Sequence, residues 1–380
     1  MTVAEMKRRD YIILPLLSVA TILIMLVATE FAARRLWPDR YIDTCLVHDG
    51  KVRARFKPDC DSLTKTPEGP WVRNHYNECG YRSMTSCAVK PPDSIRIVLM
   101  GSSFSQGDYT PYEATFPVEA AQALSHACAR RVEFQNMGVQ GATPADVYRR
   151  TGEALALKPD AVLYPVTPFD LEQSTGPEDL EHEPNGLEPG EPPDAAKVGI
   201  YRRAGIVVRE SRTVVLAQHY LFQDPAVFTR LFLAYGDKAD FLRQPYTAAW
   251  EKRFDLLDEV IAHMAARFRA AGVPIFLTAA PSRAEVVLLN MHPLPPGVDP
   301  YAFFKSVSGI AARHDAEYID LLSRFQAVPR ADLMFYVVDG HLKGEGQAIV
   351  ARAIVDAILH SRVPVFSNCR ATTERADSRP

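Results

Sequence analysis

The sequence predicts a three-layer α/β/α domain built on a five-stranded parallel sheet and preceded by one N-terminal membrane helix. Three observations carry this. From Ile95 onward, short apolar runs alternate with helix-like stretches, the order that produces parallel strands with right-handed crossovers. The first run, Ile95 to Met100, ends in Gly101-Ser102-Ser103, a turn that presents a serine oxygen where open α/β sheets place their sites. Tyr11 to Ala28 has no charge and only Ser18 and Thr21 as polar residues, close to the roughly 20 residues that span a bilayer.

The N-terminal run reads as an uncleaved signal anchor over residues 11–30, with residues 1–10 cytoplasmic. A cleaved signal peptide has a shorter apolar core and a small-residue cleavage site, for which Ala28-Thr29-Glu30 is a poor match. Basic residues flank the run on both sides (Lys7, Arg8 and Arg9 before it, Arg34, Arg35 and Arg40 after), so charge alone does not orient it. Cysteine does. Five of the six, Cys45, Cys60, Cys79, Cys87 and Cys128, follow the anchor in the first third of the chain, and Cys369 lies near its end. None shows Cys-x-x-Cys spacing, and an even, scattered set reads as disulfides in an oxidising compartment, against the alternative of buried reduced thiols. Of the fifteen possible pairings, we expect Cys45–Cys60, Cys79–Cys87 and Cys128–Cys369. The expected location is a bacterial inner membrane, single-pass, with the body in the periplasm.

The 380 residues are 47% hydrophobic and 23% charged, enough for an ample core in one large domain or two small ones. A formal net charge of −3 gives no electrostatic case for nucleic acid.

Residues 31–93 are polar and rich in turn formers, a membrane-proximal lead-in with disulfides. The main domain runs over 94–363. Ile95–Met100 is its first strand, and Ala114–Arg130 a helix with Phe116, Ala120, Ala123 and Leu124 on one face. Val132–Met137 is the second strand. A helix capped by Thr143 and opened by Pro144 runs to about Leu157, and Asp160–Val166 is the third strand. An insertion spans about 171–250. Its Glu-, Asp-, Pro- and Gly-rich first part, to Ala196, is a solvated loop that could be a lid or a plain insertion. Around Tyr220 to Tyr235 it carries apolar residues in irregular helices, for which core packing is expected over a membrane-surface contact. Then come a helix over Glu251–Ala271, strand four at Pro274–Ala279, a helix at Tyr301–His314, strand five at Ala316–Leu321 and a last helix over Gln347–His360. Residues 364–380 form a tail.

A nucleophilic serine needs a base to take its proton and a third group to orient that base. Asp339-Gly340-His341, in a glycine-rich loop between the last strand and the last helix, puts carboxylate and imidazole at the sheet edge that carries Ser103.

Four blocks in order then resemble the SGNH hydrolase family, the GDSL-type esterases. Gly101-Ser102-Ser103-Phe104-Ser105 resembles the first, with Ser103 the implied nucleophile. Asn136-Met137-Gly138-Val139-Gln140-Gly141 resembles the second, implying that the Gly141 and Ser103 N–H groups hold an oxyanion. Pro159 to Leu163, ending at Phe169-Asp170-Leu171, resembles the third, and Asp339-Gly340-His341-Leu342 the last. Asn77 to Arg82 resembles an Asn-x-x-Gly-Phe-Arg element that precedes the first block in membrane-anchored members, with Tyr81 in the aromatic place. The resemblance implies a flavodoxin-like sheet and serine catalysis by Ser103, His341 and Asp339, without metal or organic cofactor. Two positions depart from the pattern. Ser102 stands where the family has aspartate. Phe169 stands where an asparagine donates to the oxyanion, a loss worth on the order of 100- to 1000-fold in turnover unless another group such as the Thr167 hydroxyl supplies it.

The expected function is a membrane-anchored, periplasm-facing serine esterase hydrolysing (acetyl) esters on a glycan or lipid. The short Asp-x-His spacing resembles members that transfer or remove O-acetyl groups on exported polysaccharides, so an O-acyltransferase is one alternative. A catalytically weak binding or assembly subunit of an envelope complex is the other, kept open by Phe169.

Overall fold

The computed structural model describes residues 9–37, 41–50, 52–172, 174 and 211–369. The acidic, proline-rich part of the insertion beyond Ser174, read as either a lid or a plain insertion, and the tail beyond Cys369 lie outside the described residues.

The N-terminal helix runs Asp10–Leu36, and over Tyr11–Leu36 it is long and apolar enough to cross a membrane, with a mean hydropathy of 2.6. It extends six residues past the expected end at Glu30 because its last turns have a partner. The Glu30 carboxylate accepts from the Ser211 hydroxyl at 2.7 Å and from the amides of Arg212 and Thr213 at 3.0 Å, satisfying the first turn of the Arg212–Leu221 helix. Ala33 is buried in the same contact region of the chain, and Trp37 meets His219 edge-on at 4.7 Å.

The lead-in, in which the sequence shows no periodic run, folds into two antiparallel hairpins: β1 (Leu46–Asp49) with β2 (Arg53–Phe56), and β3 (Cys60–Thr64) with β4 (Val72–Tyr76). Strands of four or five half-buried residues are too short to show a period. Cys45–Cys60 joins the hairpins and Cys79–Cys87 closes the turn after them. Phe56 stacks on Tyr76 with ring centroids 4.0 Å apart.

The main sheet contains β5 (Ile95–Leu99), β6 (Val132–Asn136), β7 (Ala161–Val166), β8 (Ile275–Ala279) and β9 (Glu317–Ile319), in the order β6-β5-β7-β8-β9, all parallel. This is the doubly wound order 2-1-3-4-5, whose switch point lies between β5 and β7. Every residue of β5, β6, β7 and β8 is buried, as strands covered on both faces require. Arg96 is the one cation of β5, and Glu133 of β6 pairs with it at 2.7 Å while four backbone carbonyls take its remaining donors. The helix expected from Thr143 to Leu157 is present as Pro144–Arg149 and Thr151–Ala156, opened by a Thr143–Asp146 capping box and interrupted at Arg150, whose guanidinium turns to the Met137 carbonyl and Glu153. Phe116–Cys128 packs with the last helix, Gly344–His360, and Cys128–Cys369 ties the two regions together. Across the sheet, Ala248–Ala270 packs with Ala302–Arg313. The apolar residues near Tyr220–Tyr235 fall in helices Arg212–Leu221 and Pro225–Leu233.

Candidate active site

β5 delivers its chain to the switch point, where Gly101 allows the turn. Its φ of +133° is outside the range L side chains adopt, and a Cβ there would meet Ser105 Oγ at 2.4 Å and the Pro165 carbonyl at 3.1 Å. Ser103 then begins a one-turn helix, Ser103–Gln106, and is itself only partly buried. Two neighbours fix this turn. From β6, Asn136 Nδ2 donates to the Ser105 carbonyl at 2.7 Å, and Gly138 lies so close that a Cβ would meet Gln106 N at 2.5 Å. From the lead-in, the buried Arg82 guanidinium donates to the carbonyls of Gln106 (2.9 Å), Gly107 (2.7 Å) and Thr110 (2.7 Å). Burial pulls the Arg82 pKa down, with the nearby Tyr76 and Asp108 opposing. The Asn77 side chain shapes the approach to Arg82 by accepting from the amides of Cys79 and Tyr81, both at 3.0 Å.

The imidazole comes from the loop before the last helix. Gly340, at φ +87°, closes a turn in which its N–H reaches the Tyr336 carbonyl and the Tyr336 N–H reaches the His341 carbonyl, both at 2.9 Å. This geometry aims His341 at Ser103: Nε2 lies 2.9 Å from Ser103 Oγ, and Nδ1 lies 2.5 Å from Asp339 Oδ1. Asp339 is nearly buried, with 5% of its side chain exposed. Ser103, His341 and Asp339, predicted from motif order, are therefore brought into one hydrogen-bonded line.

Glu68 is a site residue that sequence reasoning missed. With 2% of its side chain exposed, it accepts from the Val338 and Asp339 amides at 2.8 and 3.0 Å through one carboxylate oxygen, while the other meets His219 Nδ1 at 2.7 Å. The contact is close enough to need Gly69, where a Cβ would meet the Tyr336 hydroxyl at 2.9 Å. The only sequence signal was a lone carboxylate in the tight turn Pro67-Glu68-Gly69-Pro70.

Ser103, Thr167, Phe169, Asp170 and His341 line one cavity of about 390 Å³. Asp170 is buried, accepts from the Thr167 N–H at 2.9 Å, and has its pKa pushed up to about 6 by burial, against the pull of the Ser102 hydroxyl and Thr167. The Thr167 hydroxyl accepts from the Asp170 N–H at 3.2 Å. Phe169 is 43% exposed at the cavity wall. Gly141 sits in the exposed turn after β6 at φ +76°, next to Gln140, whose amide donates to Asp108 at 2.9 Å. Among the described residues no cluster of three or more His, Cys, Asp or Glu side chains could hold a metal ion.

No protein-family model and no curated protein matches the chain. Solved structures do. The chain is similar to an alpha/beta hydrolase enzyme from the metagenome of Lake Arreo, Spain (12% identity, 74% of this chain and 100% of that one, TM-score 0.40). It is similar to an acetylxylan esterase from Geobacillus stearothermophilus, solved as a catalytic mutant (13% identity, 71% and 95%, TM-score 0.40). A lipase/acylhydrolase from Enterococcus faecalis is a third (15% identity, 70% and 95%, TM-score 0.36). At this identity and superposition no residue's role carries over. In its motif order and sheet order, the chain is similar to the SGNH hydrolase family.

Proposed function

We propose that the chain is a membrane-anchored serine esterase. The observation that carries the proposal is the unbroken line from Asp339 Oδ1 through His341 to Ser103 Oγ, at 2.5 and 2.9 Å. In this reading His341 Nε2 takes the Ser103 proton as the oxygen attacks an ester carbonyl, and Asp339 holds the ring in the required tautomer and stabilises its cation. The N–H groups of Ser103 and Gly141 are the proposed oxyanion donors, with the Thr167 hydroxyl a third. His341 returns the proton to the departing alcohol, and water releases the acyl group; a sugar hydroxyl in place of water makes the same site a transferase. Anchoring is supported by the helix Asp10–Leu36, which runs unbroken from the apolar span through Glu30, where the Ser211–Thr213 segment holds it to the body. The proposed substrate is an acylated glycan or lipid, and the disulfides support a periplasmic body on an inner-membrane anchor.

Phe169 favours a second reading, a binding or assembly subunit of an envelope complex, because a phenyl ring donates no hydrogen bond to an oxyanion. One experiment separates the two. Full-length protein in detergent is treated with a fluorophosphonate and its intact mass followed. A single adduct, absent in Ser103→Ala and slower by on the order of 1000-fold in His341→Ala, supports the esterase. No adduct on folded wild type supports the binding subunit.

A further inference from the structure

The cavity beside Ser103 is built for an apolar group. Phe222, Phe228, Phe232 and Tyr235 form one wall, with successive ring centroids 5.6, 5.7 and 6.4 Å apart. Phe335 and Val338, just ahead of His341, add to the opposite side. Four of the polar side chains in the lining are already committed to the chain. Arg283 lies over the Phe228 ring at 4.1 Å and donates to the carbonyls of Phe222 (2.5 Å) and Val337 (3.3 Å). Gln347 accepts from Phe116 N at 3.0 Å, Asp108 from Gln140 at 2.9 Å and Asp170 from Thr167 N at 2.9 Å. A sugar ring placed against the aromatic wall would lose its water for few replacement partners. The volume, about 390 Å³, is roughly a dozen water-sized units, far beyond what an acetyl group fills.

This wall is also continuous with the membrane helix. Gln218 and Phe222, which line the cavity, belong to or directly follow the Arg212–Leu221 helix. The N-terminus of that helix is held by Glu30 and its His219 by Trp37, both at the end of the apolar span. On the same helix Tyr220 and Leu221 expose 66% and 52% of their surface, and Tyr235 at the cavity rim exposes 56%.

We propose that the cavity takes the acyl chain of a lipid ester lying in the bilayer that the Tyr11–Leu36 helix crosses. The proposal rests on the reading of Ser103 as nucleophile. Ser103 Oγ bonds to the ester carbonyl carbon and its proton passes to His341 Nε2. The ester C–O bond then breaks, the lipid's alcohol leaves with that proton, and the acyl chain stays on Ser103 within the aromatic chamber.

The test uses full-length protein in lipid nanodiscs, with Ser103 labelling by a fluorophosphonate as the first arm. The second arm compares dissolved p-nitrophenyl acetate and octanoate. Burial of each methylene is worth about fourfold, so kcat/KM is expected to favour octanoate by at least a hundredfold. Tyr235→Asp is expected to cut that ratio by tenfold or more, and Tyr235→Phe to retain it. The third arm places a fluorogenic phospholipid ester in the protein's own disc or in separate discs, with at least tenfold faster hydrolysis expected in the shared disc. Labelled Ser103 with acetate turned over as fast as octanoate overturns the acyl assignment and leaves the nucleophile standing. An octanoate preference with no advantage of the shared disc overturns the bilayer source. Failure of Ser103 to label overturns the nucleophile reading, and this inference with it.

Discussion

The lead-in and the main sheet hold the same site by opposite means. The sheet positions Ser103 through topology and close packing: a doubly wound strand order, a glycine at φ +133° and a neutral amide from Asn136. The lead-in has little core of its own and works through two buried charges aimed at backbone groups. Arg82 gathers three carbonyls behind Ser103, and Glu68 gathers two amides at Val338 and Asp339. Both oxygens of Glu68 are used, and the two terminal nitrogens of Arg82 make three bonds while its Nε has no partner among the described residues; such bonds offset much of what burying a charge costs. On the sheet side, Glu285 is likewise buried with one atom, Oε1, lacking a partner among the described residues, and burial pushes its pKa up to about 7.

The contrast can be broken most forcefully at Arg82. Arg82→Leu strands three buried carbonyls, and at charge-assisted strength it should cost about 4 kcal/mol, a fall in melting temperature of roughly 10 °C. A loss below about 1 kcal/mol would mean that the Ser103 turn stands on sheet packing alone. Next comes Glu285. Its pKa rises from 4.5 unfolded to about 7 folded, so the folded state binds more protons between those values, and stability must fall as pH rises through that window. Glu285→Gln keeps the capping box with Ser282 and should remove that decline, worth at most about 3 kcal/mol. Urea midpoints of both proteins at pH 4.5 and 8 test it; an unchanged slope would place the titration elsewhere.

Smaller effects sharpen the comparison within the site itself. Glu68→Gln should lower kcat about tenfold with KM unchanged, the loss of one charge-assisted contact to the Asp339 loop, with Glu68→Asp intermediate. Rates normalised to the folded fraction exclude early melting, and a fall in kcat that vanishes on normalisation would overturn the positioning role. Asn136→Ala, the neutral counterpart, should cost only about 1 kcal/mol of stability, read as a shift in urea midpoint.

The two regions also differ in how much of them the sequence discloses. β5 reads as Ile-Arg-Ile-Val-Leu because a strand covered on both faces is apolar throughout, and Ser103, Asp339 and His341 stand out because serine chemistry requires those types at strand ends. The hairpins of the lead-in escaped because four- and five-residue strands, held by Cys45–Cys60 and Cys79–Cys87, carry no readable period. Glu68 escaped for a different reason. Its partners are amides 270 and 271 residues away, and a backbone N–H leaves no mark on the sequence. The Arg150 break escaped because the guanidinium answers to Met137 across the fold, while the local pattern is helical throughout.

Ser103 and His341 are 238 residues apart. A chain made from its N-terminus therefore displays the hydroxyl early and acquires the imidazole late, after the sheet between them exists. Cys128 and Cys369, separated by 241 residues, can join only later still. An unfinished chain carries Ser103 without the imidazole that lies 2.9 Å from it in the folded protein. Completion of the polypeptide is what assembles the line from Asp339 to Ser103.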